Sequence, residues 1–550
     1  MLRRLGVVAV LALAAYAFWR VLTYSIESES RAPQPRAAVL NVLSRGNGAE
    51  PDSLDPQLAR MDSALVILRD AYEGLTSLSH DARVAPGAAG AWDVADAGLR
   101  YTFRLRPGLQ WSNGDPVTAE DFVSAWRRLV DPRTASQYAS LLEPVRNAAA
   151  IATRRAAPET LGVRALDART LEVLLERPTA YFPALLSHPS TFPVHRPTLA
   201  ARPRDFARPG VAVTNGAYLP VEWQIGSHVL ARRNPHYWNR ARVAIDVVRY
   251  NHVTDTATEL KRYRAGEIDV TYTIPPGQVA RLRRELGAEV HTGVQLGTYY
   301  YGLSLDRPPF RGAKELRQAL AMSIDRAVLT ERLLGGGERP AYGWVPPGVE
   351  GYRGAEFSWA PLPWTARLAE AQRLYAAAGH SAKNPLRVTL RYNKSPLHDD
   401  LAIAIAAMWK QNLGVETTLH PEEYRALKQA IDNREAQVFR ASWIGDYNDA
   451  WSFLQLLETG SGINLPRYSS PAYDDLLARA RVAADAASRA DLLRRAEAVL
   501  LDDVPLIPIY FYTAQHLVKP QVRGWYDNVM NVTYTKDLSI VVPGAVPPAP

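Results

Sequence analysis

A chain of 550 residues is too long for one hydrophobic core and predicts roughly three or four domains. Its apolar fraction of 47% and its 13 tryptophans exclude a largely disordered protein. The net charge of +8 is spread over interspersed acidic and basic residues, which excludes the clustered positive charge that a nucleic-acid-binding surface needs.

The N-terminus carries the evidence for the compartment, because the chain contains no cysteine and hence no disulfide, thiolate metal site or lipidated cysteine. Arg3 and Arg4 precede an apolar run, residues 5–19, as in an export signal. No clear Ala-x-Ala cleavage site follows, so residues 1–24 are predicted to be either a signal peptide or an uncleaved inner-membrane anchor. Residues 25–36 are predicted to be a polar, proline-stiffened linker. Because the arginines favour a cytoplasmic N-terminus, both alternatives place the body of the protein in the periplasm.

Strand and helix patterns alternate along that body. Apolar and polar residues alternate over residues 101–106 (YTFRLR), which predicts a half-buried strand. Thr118 and Asp121 form a capping-box pattern ahead of a helix. A further helix is predicted over residues 365–378. Its end is placed before Gly379, because glycine is the residue type that most often follows a helix end.

The same alternation continues in the second half of the chain. Residues 387–392 (RVTLRY) predict a second half-buried strand. Ser470 and Pro471 begin an amphipathic pattern that predicts one long helix ending near Leu501. This mixture of strands and helices indicates α/β domains.

The most informative segment lies between the predicted strand at residues 387–392 and the predicted helix that begins at Ser470. It comprises residues 440–449 (RASWIGDYND). Trp443 and Ile444 favour extended structure, whereas Gly445 and Asp446 have turn chemistry, so Asp446 is predicted where a strand leaves a sheet. There its carboxylate could hold a cation. The alternative is that Asp446 only caps a turn and Trp443 only fills a core.

Catalytic signatures are missing from the sequence. It has no His-Glu-x-x-His zinc motif, no Gly-x-Ser-x-Gly nucleophile turn, no Ser-x-x-Lys pair and no Gly-x-x-x-x-Gly-Lys phosphate loop. The prediction is therefore a protein that is not an enzyme, with no cofactor and no metal site. Acidic residues that converge in space, as in a glycosidase, stay open as an alternative.

The segment at residues 440–449 resembles the ligand-contacting segment of periplasmic oligopeptide-binding proteins, the family 5 extracellular solute-binding proteins of ATP-driven (ABC) importers. The resemblance is collinear over residues 40–542. The other segments that carry it are residues 50–56 (EPDSLDP), 111–115 (WSNGD), 119–122 (AEDF), 215–218 (NGAY), 233–239 (RNPHYWN), 263–269 (YRAGEID) and 340–343 (PAYG).

This resemblance implies the architecture, which the residue patterns alone do not show. It implies an α/β, two-lobed, type II periplasmic-binding-protein fold with an extra inserted domain. Lobe I would comprise residues 37–73, 198–297 and 514–550, the inserted domain residues 74–197, and lobe II residues 298–513.

The resemblance also implies a set of peptide-binding residues. Asp446 would pair with the ligand's α-ammonium group, and Arg440 and His398 would lie near its C-terminal end. Main chain around Ala441, Ser442 and Trp443 would pair with the peptide backbone as an added strand. The side chains that would line the cleft walls are Trp443, Tyr138, Tyr272, Tyr300, Tyr424 and Tyr512.

Less specific explanations exist for several of these residues. His398 could be an ordinary surface histidine, Arg440 could belong to a structural ion pair, and the tyrosines could be core residues. Three departures from some relatives are visible. A cysteine pair is replaced by Gly297 and Ile444, Trp451 could narrow the cleft, and residues 332–338 (RLLGGGE) lack lysines that would receive a ligand carboxylate.

The resulting hypothesis is a periplasmic, monomeric binding protein that delivers oligopeptides to the membrane subunits of an ABC importer by closure of two lobes. If residues 1–24 stay uncleaved, the inner membrane is a further partner; nucleic acid is not. The alternatives are a dedicated receptor for cell-wall peptide or another small solute, an envelope enzyme, and a membrane-tethered structural protein.

Overall fold

Strands and helices alternate throughout the computed structural model, in which residues 40–483 and 485–541 are described. All elements belong to the unit that begins at Val42. The strands are β1 (Val42–Gly46), β2 (Thr76–Leu78), β3 (Val84–Pro86), β4 (Ala89–Ala95), β5 (Arg100–Leu105), β6 (Val163–Asp167), β7 (Thr170–Leu174), β8 (Tyr218–Gln224), β9 (His228–Arg233), β10 (Val247–Asn251), β11 (Val290–Leu303), β12 (Arg339–Pro340), β13 (Arg387–Asn393), β14 (Glu416–Glu422), β15 (Val438–Ile444), β16 (Leu506–Leu517), β17 (Val522–Arg523) and β18 (Ser539–Ile540).

The helices cover the faces and ends of the sheets. They are α1 (Asp62–Ala71), α2 (Ala119–Val130), α3 (Ala148–Ala152), α4 (Phe182–Leu185), α5 (Arg196–Ala201), α6 (Thr256–Arg264), α7 (Val279–Leu286), α8 (Lys314–Met322), α9 (Arg326–Val328), α10 (Trp364–Ala377), α11 (Pro396–Leu413), α12 (Tyr424–Asp432), α13 (Trp451–Leu454), α14 (Pro471–Arg481) and α15 (Ala486–Asp503).

Local sequence signals predicted several of these elements correctly. Strands β5 and β13 match the two predicted strands to within one residue at each end. At the start of α2 the Thr118 N–H donates to the Asp121 carboxylate at 2.8 Å, as the capping-box pattern indicates. Helix α10 ends before Gly379, whose φ of +86° is the left-handed conformation that glycine adopts most readily.

The prediction of one long helix from Ser470 to Leu501 is wrong. The structure has two helices there, α14 and α15, which pack against each other. The second begins because Asp485 acts as an N-cap, with its carboxylate accepting a hydrogen bond from the Ser488 N–H at 2.9 Å. This side-chain bond competes with a continuous helix, and the apolar periodicity on either side does not reveal the break.

Two four-stranded sheets are formed from the first half of the chain. One has the order β1-β10-β9-β8, with β1 parallel to β10, and its core contains Leu43, Tyr218 and Tyr250. The other has the order β4-β5-β7-β6, is antiparallel, and packs its core around Phe103 and Trp126. Helix α1 contributes to both cores and therefore joins them.

A six-stranded sheet organises the second half, in the order β12-β16-β11-β15-β13-β14. Its core is the largest in the molecule's described part and contains fully buried Trp344 and Trp409. Strands β13 and β14 are parallel, whereas β11 runs antiparallel to both of its neighbours, β15 and β16.

Strands β11 and β16 are long and extend from this sheet towards the β1-containing sheet. Their pairing is interrupted between Val294 and Thr298, where the register shifts. Beyond the shift, the end of β16 is bound to the segment that lies alongside β1. There the Leu517 N–H donates to the Thr271 hydroxyl at 2.8 Å, and Val270 bridges to Arg45. A register break in two paired strands that run from one sheet towards another is a suitable hinge.

No helix in the described ranges, residues 40–483 and 485–541, has the length and apolar content to cross a membrane. The predicted export or anchor segment, residues 1–24, and the linker, residues 25–36, lie outside these ranges.

Candidate functional site

A gap opens in the six-stranded sheet where two parallel strands separate. Strands β13 and β15 pair at only two positions, Leu390 with Val438 and Arg391 with Phe439. The chain leaves β13 through α11 to reach β14 on one side, and returns through α12 to β15 on the other side. Such a reversal of strand order leaves a crevice at the carboxyl ends of the strands, which is a common position for a ligand site.

The edge of β15 that faces this gap is unpaired among the described residues beyond Phe439. On its other edge the Gly445 N–H donates to the Leu296 carbonyl at 2.8 Å, which fixes the phase of the hydrogen bonds between β15 and β11. Because hydrogen-bonded pairs alternate along an antiparallel ladder, Ala441 and Trp443 direct their backbone groups to β11, and Ser442 directs its own to the gap. Ser442 therefore offers one donor and one acceptor to a ligand.

Asp446 lies two residues after β15, where the sequence predicted a strand end. Its side chain reaches solvent, and in the described part of the chain its carboxylate has neither a hydrogen bond nor an ion pair. Protein surrounds it on its other sides, and this burial raises the pKa of the carboxyl to about 6. The group is therefore a recessed carboxylate that lacks a cation, which is the chemistry that an ammonium group would complement.

The turn that carries Asp446 is held against the core of the β4-containing sheet. The ring of Tyr447 stacks on Tyr181 with centroids 5.1 Å apart, and the Asn448 amide donates to the Ala82 carbonyl at 3.0 Å. Burial raises the pKa of the Tyr138 hydroxyl most, and the negative charge of Asp446 raises it further, which places Tyr138 near Asp446. Residues of the six-stranded sheet and residues packed on the core of the β4-containing sheet thus surround the carboxylate.

Arg440 supplies a positive charge at the other end of the open edge. Its guanidinium donates to the Asn393 side chain and to the Tyr512 hydroxyl, each at 3.1 Å, and lies 4.8 Å from the centre of the Tyr299 ring. It makes no ion pair with a carboxylate of the described residues. The alternative of a structural ion pair is therefore not what the structure shows, and the cation is available to an anionic group.

His398, in the first turn of α11, lies beside Arg440 of β15. Its Nδ1 atom is 2.8 Å from the Asn393 carbonyl, and its ring centre is 5.8 Å from that of Tyr299. Burial first, and then the charge of Arg440, lower the pKa of His398, so the ring is neutral near pH 7. Asn393 orients both His398 and Arg440, and sequence reasoning missed it, although it stands in the same segment as His398 at the end of β13.

The family model described as bacterial extracellular solute-binding proteins, family 5 Middle, matches residues 83–464. That match covers more than half of the chain. This chain belongs to that family. The predicted family membership is thereby confirmed.

Relatives within the family carry different ligand names. The periplasmic oligopeptide-binding protein OppA of Escherichia coli K12 is 39% identical over 503 residues, which are 91% of this chain and 92% of OppA. The probable deoxycholate-binding periplasmic protein YgiS of the same strain is 38% identical over 502 residues, 91% of this chain and 93% of YgiS.

A solved structure shows the same architecture. The unliganded open form of the periplasmic murein tripeptide-binding protein MppA matches with a TM-score of 0.84 at 36% identity, over 92% of this chain and 98% of that one. The predicted α/β, two-lobed, type II periplasmic-binding-protein fold is confirmed.

The predicted wall residues differ in their surroundings. Tyr424 is 65% exposed, and Tyr512 is held by Arg440. The Tyr272 hydroxyl donates to the Asp62 carboxylate at 3.1 Å. Tyr300 is only 4% exposed and packs edge-on against Trp344, so in this conformation it is a core residue. For all of these tyrosines contact with a ligand stays a prediction.

The structure bears on two of the departures from relatives. Gly297 and Ile444 lie opposite each other in the β11–β15 ladder, and the Ile444 side chain occupies the space where a side chain at Gly297 would be. The expectation that Trp451 narrows the cleft does not hold in this structure, because Trp451 is 2% exposed and belongs to the large core. In the described ranges no group of three or more histidine or acidic side chains is arranged to hold a metal ion.

Proposed function

We propose that this protein captures oligopeptides outside the cytoplasm and delivers them to the membrane subunits of an ABC importer by closure of its two lobes. One observation carries this proposal: within the described residues, an acid without a partner, Asp446, and an arginine without a carboxylate partner, Arg440, lie at the two ends of an unpaired strand edge. A peptide with free termini has matching charges at its ends and matching backbone groups between them. The name of the relative OppA supports the same ligand class.

The separation of the two charges suits a short extended peptide. Arg440 and Asp446 are six residues apart, which corresponds to roughly 20 Å of strand at about 3.3 Å per residue. Between them the site offers backbone groups and aromatic surface, neither of which selects strongly among ligand side chains.

A dedicated small-solute receptor is the second candidate, since the relative YgiS is named for deoxycholate and MppA for a murein tripeptide. Asp446 argues against an anionic steroid, because such a ligand brings no cation to the unpaired carboxylate. A murein peptide is compatible with the same charges and differs from a general oligopeptide only in the breadth of specificity.

The remaining expectations complete the proposal. Lobe I would comprise residues 37–73, 198–297 and 514–550, the inserted domain residues 74–197 and lobe II residues 298–513, a division that the three larger sheets support. The protein would act as a periplasmic monomer without catalytic activity, and residues 1–24 would tether it to the inner membrane if they stay uncleaved. The intact mass of the exported protein tests the tether: a mature start between residues 25 and 38 would contradict it.

Peptides of equal length but different composition are expected to bind within about tenfold of one another, or ~1.4 kcal/mol. The reason is that terminal charges and backbone groups provide most of the contacts. Adding or removing one residue should change affinity more, because it displaces one terminal charge. Calorimetry with such a series measures both effects. If a single peptide or non-peptide solute binds far more tightly than all others, the protein is a dedicated receptor and not a general oligopeptide-binding protein.

Replacing Ser442 with proline is expected to weaken peptide binding by about 1 kcal/mol, or roughly fivefold, with little loss of folding stability. Proline removes the N–H that faces the gap, and edge positions of a sheet tolerate this loss.

The matched control is Ala441→Pro, which removes an N–H that faces β11 and should lower the melting temperature clearly. Ser442→Ala keeps the backbone donor and should bind like wild type. If Ser442→Pro binds peptide as tightly as wild type, the ligand does not pair with this edge.

A further inference from the structure

A buried acid in α6, Glu259, lies directly behind the predicted wall residue Tyr272. Glu259 is 1% exposed, and its carboxylate accepts hydrogen bonds from the backbone N–H groups of Tyr272 at 2.8 Å and Thr273 at 3.5 Å. Sequence reasoning did not single it out, because an acid in the first half of a polar helix is normally a solvated residue.

The end of β1 is shaped to admit this carboxylate. A Cβ atom on Gly46 would lie 1.6 Å from the Glu259 Oε1 atom and 2.9 Å from the Tyr272 nitrogen, so any side chain at Gly46 would collide with the pair. The Gly46 N–H itself donates to the Val270 carbonyl at 2.8 Å, which brings the segment after Val270 alongside β1. The glycine therefore provides the room that the carboxylate occupies.

No cation of the described residues pairs with Glu259. Arg262, on the same helix, is the nearest positive influence, but its guanidinium is engaged by Glu267 at 3.0 Å and by the Asn251 side chain at 3.1 Å. Of the elements packed against Glu259, the titratable group that faces it is Tyr272. A buried carboxylate without a cation is costly, and here two backbone donors are its main compensation.

Tyr272 is in turn fixed at its other end. Its hydroxyl donates to Asp62 at 3.1 Å, and a Cβ atom on Gly48 would lie 2.9 Å from its ring. The ring thus rests on the glycine backbone at the rim of the cleft, with Glu259 holding its main chain and Asp62 its hydroxyl.

We propose that Glu259 is a positioning residue for ligand capture, which fixes the Tyr272–Thr273 backbone and with it the Tyr272 ring on the lobe I wall of the cleft. The proposal rests on the proposed function in one respect, namely that Tyr272 contacts the peptide. Glu259, which lies outside the cleft, would thus preorganise the Tyr272 side of the cleft before the ligand binds.

Burial raises the pKa of the Glu259 carboxyl to about 7, with the two backbone donors opposing the shift. The ionised carboxylate accepts from both N–H groups, whereas a protonated one has a single good acceptor left. In a local opening that detaches these two N–H groups while Glu259 stays buried, the bonds to the ionised carboxylate are lost, so the backbone of Tyr272 and Thr273 should loosen as the pH falls below about 7. Global unfolding instead exposes the carboxyl to water, so for overall stability the raised pKa means that Glu259 favours folding most below about 4.5, and this contribution is lost as the pH rises through 7.

Hydrogen exchange of the Tyr272 and Thr273 amides in the ligand-free full chain tests the positioning directly. In wild type, protection corrected for intrinsic exchange should fall between pH 8 and pH 6. In Glu259→Gln, which keeps the shape but only one acceptor, exchange at pH 8 should be about tenfold faster at one of the two amides and independent of pH. Equal protection in wild type and Glu259→Gln would overturn the proposal.

Binding of trialanine at pH 8 tests the consequence for capture. Glu259→Gln should bind it several-fold more weakly, and Glu285→Gln, at an exposed acid of α7 that pairs with Arg264 and Arg281, should bind like wild type. Faster exchange with unchanged affinity would limit Glu259 to folding and overturn the proposal. Should Glu259→Gln fail to fold, Gly46→Ala displaces the same carboxylate with the glutamate retained and is expected to show the same faster exchange. If wild type does not bind trialanine, the proposed function fails, and the exchange result alone decides the role of Glu259.

Discussion

Replacing Asp446 with alanine is expected to weaken binding of peptides with a free N-terminus by about 2–5 kcal/mol, the usual cost of truncating one partner of a recessed charge pair. The reason is that Asp446, which has no partner among residues 40–483 and 485–541, lies beside the open edge of β15. Calorimetry with one peptide and its N-acetylated form measures the effect in two ways. Wild type should lose about the same affinity for the acetylated peptide, and Asp446→Ala should bind both forms equally.

The effect of pH follows from the Asp446 pKa of about 6 in the ligand-free state. Peptide affinity should decrease as the pH falls below about 6, since the protonated acid no longer attracts an ammonium group. The raised pKa also means that the neutral form favours folding, so this contribution is present below about 3.8 and lost as the pH rises through 6.

Asp446→Asn is therefore expected to raise the melting temperature of the ligand-free protein at pH 7.5 while it abolishes discrimination between free and acetylated peptides. Asp432→Asn, at an exposed acid of α12 that pairs with Lys428, is the matched control and should change neither property. Equal affinity of wild type for free and acetylated peptides would remove the role assigned to Asp446.

Replacing Arg440 with glutamine should likewise cost about 2–5 kcal/mol for peptides whose C-terminal carboxylate reaches this position. Arg440 is held by Asn393, Tyr512 and Tyr299 and has no acid of the described chain to neutralise it. C-terminally amidated peptides should lose a similar amount with wild type and little with Arg440→Gln. Arg440→Lys should lie between the two, because lysine keeps the charge but cannot keep both side-chain hydrogen bonds and the ring contact.

Folding must be measured beside binding for this variant, since Arg440 also packs on Tyr299. Arg387→Gln, at an exposed arginine of β13 that pairs with Glu416, is the control for loss of a positive charge on the same sheet. If Arg440→Gln weakens binding of the amidated peptide, relative to wild type, by as much as it weakens binding of the free acid, the loss reflects packing, and the carboxylate site lies elsewhere.

Local chemistry made part of this protein predictable from sequence. The alternation in β5 and β13, the capping pair at Thr118 and the glycine after α10 are signals within a few residues of one another. Asp446 belongs to this class too, because a glycine and an acid after a β-favouring run mark the end of a strand. Collinear resemblance over the body of the chain added the family and the two-lobed fold.

Contacts between residues far apart in the chain decided the rest. The separation of β13 from β15, which leaves Ser442 unpaired, depends on the packing of the whole sheet. The burial of Tyr300 against Trp344 and the fit of Glu259 beside Gly46 join positions that are 44 and 213 residues apart. A sequence pattern records which residues favour a strand, a turn or a core, whereas the partner that a charge finds or lacks is set only when distant segments pack together.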